Sequence, residues 1–167
     1  MTASASHFLD RAAAQAAIQY SLPTITASMK DRSVGESGFL YIVVMDPGRP
    51  PYLSSFEEAI LHEHAIGERE RWDADYAAFA RAKAHVAWKT GMSSHAVQEL
   101  YPHLLNGGDT LLWGSIALDG IVVGVSGAHP WFDEAIAGMV AMWLRALAKA
   151  HAHAARRDAL FLPAEKS

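Results

Sequence analysis

The sequence predicts an α+β domain, an antiparallel sheet with helices packed on it, and three observations carry that prediction. Leu111 to Leu118 and Ile121 to Gly127 are apolar runs joined by Asp119-Gly120, a pair suited to the positive φ values of a type I′ hairpin turn. After the break at Ala128-His129-Pro130, apolar residues return at helical spacing through Phe132, Ile136, Val140, Trp143 and Leu147. The order of elements is helix, strands, helices, hairpin, helix, which is not the alternation of βαβ units.

Composition narrows the class. The 167 residues fit one domain, 1–167, with 51% hydrophobic and 19% charged residues. A net charge of −4 gives no basic field for nucleic acid or an anionic membrane. Cysteine is absent, which removes disulfides, thiolate catalysis and cysteine metal sites together. No basic leader with an apolar core is present, and no run reaches the roughly 18 apolar residues of a membrane span. A cytoplasmic protein is expected.

Phe8 to Tyr20 is alanine-rich and helix-prone, and Ser21 is placed to cap a second helix with Pro23 in its first turn. Phe39 to Met45 reads as a central strand, ended by Asp46-Pro47-Gly48, and Tyr52 to Phe56 as a short edge strand. Glu57 to Arg71 is mixed: its start is helix-prone, while Ile60 to Ile66 fits a strand almost as well. Ala74 to about Lys89 is a helix with Tyr76, Phe79, Ala80, Lys83, Val86 and Ala87 on one stripe, ended by Gly91. Ser93-Ser94 opens a short helix to Leu100, and Asn106 to Asp109 is a loop before the hairpin. The last helix runs from Asp133 to about Ala155, followed by a tail over 156–167.

Several clusters invite chemistry. His62, His64 and Glu68 form His-x-His-x3-Glu, similar to half of the first cupin metal motif but without its glycines, and no metal is assigned. His151 continues the stripe of the last helix, and His85 lies one turn from Arg81 and Trp88. With no cysteine, these two histidines are the candidate haem ligands, and any haem binding should be weak and histidine-dependent. Gly124 to Gly127 precedes a helix without matching a Walker or Rossmann loop. Lys83 is unusual inside an apolar stripe, either snorkelling from its edge or lining a pocket for an acidic ligand such as a carboxylate or haem propionate.

The residues also resemble a known superfamily. Tyr41-Ile-Val-Val-Met-Asp46, Lys83 on the middle helix, and Asp119-Gly120-Ile-Val-Val-Gly124-Val-Ser-Gly127 followed by Asp133 resemble the haem-degrading-domain superfamily. These are the GlcG/HbpS-like proteins, which include the C-terminal domain of PduO-type proteins. Lys83 with Gly91, Ser93 and Ser94 is most similar to a poorly characterised bacterial and fungal branch. The resemblance covers about residues 22 to 148, leaving the helix over 1–20 outside it. Where that family usually has Gly-Gly-x-Pro-Ile, this chain has Trp113-Gly114-Ser115-Ile116, with no proline and a bulky tryptophan.

The resemblance implies a three-layer α/β/α domain with a profilin-like, five-stranded antiparallel sheet. It also implies a homo-oligomer that binds a small molecule, with haem the first ligand to name. Lys83, Ser93, Ser94, Ser126, Gly127 and Asp133 are the expected ligand-binding residues. The alternative is a lyase, isomerase or hydrolase acting on a carboxylated metabolite, with Lys83 holding the anion and Asp133 as acid or base. Both readings place Lys83 beside the Ser126-Gly127 turn and the start of the last helix. An ion pair between Lys83 and Asp133 would neutralise that site and make it structural.

Overall fold

The computed structural model describes residues 5–155 and 160–163, so most of the expected tail lies outside the described residues. Two strands carry the core: β1, Leu40–Met45, and β4, Ile121–Ser126, are buried at every position. They occupy the centre of an antiparallel sheet ordered β2-β1-β4-β3, where β2 is Ile60–Ile66 and β3 is Ser115–Leu118. Strand alternation sends Leu40, Ile42, Val44, Ile121, Val123 and Val125 to one face and Tyr41, Val43, Met45 and Val122 to the other.

Each face is covered by helices, which gives the three layers. Helices α1, Arg11–Ser28, and α5, Pro130–Ala155, pack on the first face through Ile18, Ile25, Ile136, Val140 and Leu144. The short helix α2, Phe56–Ala59, leads into β2. Helix α3, Tyr76–Thr90, covers the second face with Ala77, Ala80, Ala84 and Ala87, and α4, Ser94–Leu100, follows it. Small residues bring α3 very close to the sheet: a Cβ on Gly124 would lie 2.6 Å from the Ala80 carbonyl oxygen and 2.7 Å from the Ala84 Cβ. Arg81 fastens the same helix to the sheet edge by a two-pronged pair with Glu63, each contact 2.7 Å. Gly91, at φ 70°, ends α3 as a left-handed cap, and Asp119 and Gly120 turn the β3–β4 hairpin at φ 52° and 84°.

Three expectations are corrected and one open segment is resolved. The sheet has four strands among the described residues, not five: Tyr52 lies in a turn behind Pro50-Pro51, and Ser55 with Glu58 forms a capping box that starts a helix at Phe56. The two N-terminal helices are one. Asp10 caps it, the Ser21 hydroxyl donates to the Ala17 carbonyl, and the fully buried Ile18 and Ile25 hold the chain helical past Pro23. Phe79 and Trp143 are exposed rather than inside their stripes: Ala80 and Ala84 make the core contact of α3, and Val140, Ala141 and Leu144 that of α5. The ambiguous segment resolves as a strand from Ile60. His62 and His64 sit opposite Val44 and Ile42, on the face that α1 covers, while Glu63 takes the other face.

Candidate functional site

Lys83 lies in the middle of α3, over the C-terminal end of β4, and only 3% of its surface is exposed. Its ammonium donates to Asp133 Oδ2 at 2.7 Å, to the Val125 carbonyl at 3.1 Å and to Ser126 Oγ at 3.2 Å. An ammonium has three protons, so all of them are engaged. Asp133 stands in the first turn of α5 and is 1% exposed; its Oδ1 accepts from the Ala128 N–H at 2.8 Å. The pair therefore ties the helix on one face of the sheet to the helix on the other, around the end of β4.

The other expected residues gather about this tie. Ser115 Oγ donates to the Lys83 carbonyl at 2.8 Å, and Ser94 Oγ accepts from both the Gly114 and Ser115 N–H groups at 3.2 Å. Ser93 Oγ accepts from the Ala117 N–H at 3.1 Å. Gly114, at φ 140°, leaves room for the pair, since a Cβ there would lie 2.6 Å from Asp133 Cβ and 3.3 Å from Lys83 Nζ. Gly127, at φ 143°, passes close to the strand start, where a Cβ would meet the Phe39 carbonyl oxygen at 2.1 Å.

This cluster supports its surroundings and offers little to a ligand. The Ala128 N–H goes to Asp133, the His129 N–H to the Val34 carbonyl, and Pro130 has none, so these three positions present no open anion nest. The residues carried by the braced segments are a different matter. Trp113 immediately precedes Gly114, and Trp131 and Glu134 flank Asp133. Together with His95, Ile116 and Gly138 they line a cavity of about 440 Å³ that is widely open to solvent. His95 stacks on Trp113 with ring centroids 4.0 Å apart at 11°, and His129 stacks on Trp131 at 5.4 Å and 20°. On the other side of the turn, Gly127, Ala128 and His129 join Ser37, Asp73 and Tyr76 around a smaller cavity of about 290 Å³.

Sequence reasoning missed the aromatic cavity, treating Trp113 only as a departure from a motif. A signal was present: Trp131, Glu134 and Gly138 are spaced three and four residues apart, on one face of the last helix. His85 and His151 do not form a site together. His85, on α3, packs edge-on against Phe56, whereas His151 Nδ1 lies 3.2 Å from the Phe8 carbonyl on the opposite layer. Neither lines either of these two cavities.

Burial pushes the Asp133 carboxyl up to about 6, against the pull of the Lys83 ammonium and of the Ala128 and Gly127 N–H groups. The folded chain thus holds this proton more tightly than the unfolded one, and Asp133 alone lowers stability as pH rises from about 4 to about 6. Lys83 limits that loss once the carboxylate forms. Lys83→Met is therefore expected to destabilise by about 3–5 kcal/mol above pH 7, because a buried carboxylate loses its partner, and by clearly less at about pH 5. Replacing both residues, as in Lys83→Met with Asp133→Leu, is expected to recover most of the loss. Urea unfolding across pH checks this; a pH-independent cost would contradict the pairing.

No family model matches the chain, and no curated protein matches it. Among solved structures it is similar to the crystal structure of Klebsiella pneumoniae protein ORFY, which carries the family-model designation DUF336. The TM-score is 0.52 with 17% sequence identity, over 78% of this chain and 89% of that one. The two proteins share a fold.

Proposed function

We propose that this protein binds a small organic molecule in the cavity between Trp113 and Trp131, and that it belongs to the GlcG/HbpS-like superfamily. The observation that carries the reading is that cavity: about 440 Å³, aromatic on two sides, with one carboxylate in its wall. Its size and lining suit a small-molecule seat, which combines an apolar surface with a few placed polar groups. The fold shared with a DUF336 protein and the Lys83, Ser126-Gly127 and Asp133 pattern support the superfamily placement. In this reading the Lys83–Asp133 pair is not the ligand contact. It fixes the two segments that carry Trp113 and Trp131, as a supporting shell does for a binding site.

The catalytic alternative has one feature in its favour, a carboxyl at Asp133 that burial raises to about 6. Against it, Lys83 has no proton free for a substrate carboxylate, and Asp133 is covered. Haem is not the ligand we propose, given where His85 and His151 lie. We also propose self-association through the exposed rings of Tyr20 and Trp143, 5.0 Å apart, and the neighbouring exposed Met142.

Protein purified under native conditions is expected to release a small organic molecule on denaturation, read by mass spectrometry, and Trp131→Ala prepared in parallel should release none. Equal amounts from both would contradict the cavity as the seat. A Soret band on hemin titration that disappears in His85→Ala or His151→Ala would favour haem instead. For self-association, light scattering at micromolar concentration should give a multiple of the 18.1 kDa chain mass. A mass of one chain would refute it.

A further inference from the structure

We propose that the cavity selects a small organic ammonium ion, a cation with N–H donors on an apolar body; this rests on the cavity being the ligand seat. Three features of its wall point to that chemistry. The Trp113 and Trp131 ring centroids are 6.5 Å apart at 54°, so a cation lodged between them lies within the roughly 6 Å over which a ring face attracts positive charge. His95 and His129 each stack on one indole, which fixes the orientation of both rings.

The second feature is Glu134. Its Oε2 is buried, yet it accepts no hydrogen bond; His95 Nδ1 stands 3.3 Å away without the alignment of one. A buried carboxylate oxygen lacking a donor is costly, and an incoming N–H satisfies it once the partly exposed Glu134 side chain turns that oxygen into the cavity. The third feature is charge. No lysine or arginine lines the cavity, so Glu134 is the one formal charge in its wall, and the chain carries −4 overall. An anionic guest would face the carboxylate uncompensated. A neutral aromatic guest would use the indoles but leave Glu134 Oε2 unbonded. An alkylammonium or arylalkylammonium uses both.

Gly138 and Ile116 close the apolar end. A Cβ on Gly138 would make only ordinary contact with Ile116 at 3.8 Å, so a side chain added there enters the cavity without displacing backbone. That gives a variant that fills the seat while keeping the helix.

The test compares phenethylammonium with its neutral counterpart 2-phenylethanol, by calorimetry and tryptophan fluorescence on the intact chain at about pH 8. Phenethylammonium is expected to bind at least about tenfold more tightly than the alcohol. Trp131→Ala and Gly138→Leu should each weaken it by about tenfold or more, with far-UV circular dichroism unchanged. Glu134→Gln should remove the preference for the ammonium ion and leave alcohol binding in place. Equal binding of the two probes, both lost in Gly138→Leu, would overturn the cation specificity and keep the seat. No binding of either probe up to about 10 mM would overturn the cation proposal and count against the seat itself.

Discussion

A single buried ion pair crosses the end of the central strand, and the arrangement around it depends on that crossing. Lys83 belongs to the layer on one face of the sheet and Asp133 to the layer on the other, and they meet where β4 ends. Taking both charges out of water is costly, and burial raising Asp133 to about 6 is the sign that the cost is not fully offset. A hydrophobic contact would hold two layers together as well. It would not fix their register so tightly, because the pair demands Ser126 Oγ, the Val125 carbonyl and the Ala128 N–H in their places. We take the pair as a device for position more than for stability.

The segments on either side of the aromatic cavity both lie against the pair. The lead into β3 is held at Gly114 and Ser115 by Ser94 Oγ and by the Lys83 carbonyl, which sets Trp113. The start of α5 is held through Asp133, which sets Trp131 and Glu134. Each indole then stacks on a histidine. The absence of a side chain at Gly114 is what lets the strand entry lie directly on the ion pair.

Much of this was legible in the chain, and the rest was not for identifiable reasons. Asp119-Gly120 and Gly91 could be read because each needs a positive φ that few other residues tolerate. Lys83 stood out because a charge inside an apolar stripe requires a partner, and Asp133 followed the hairpin at the right place to be one. The fold class followed from element order, but the strand count did not, because proline and a capping box override the β propensity of Tyr52 to Phe56. Periodicity also misplaced Phe79 and Trp143, since it marks a stripe without saying how near the neighbouring layer lies. The cavity was least legible. Trp113 and Trp131 are separated by the whole hairpin, and only the folded sheet brings them within 6.5 Å.

The account rests on the ion pair holding both walls of the cavity at once, and amide hydrogen exchange measures that directly. In Lys83→Met the Ala128 amide, which donates to Asp133, and the Gly114 and Ser115 amides, which donate to Ser94, should lose protection together. Amides in β1, at the far side of β4, should change no more than the global loss of stability requires. If Ala128 loses protection while Gly114 and Ser115 keep theirs, the two walls are held independently and the central claim is wrong.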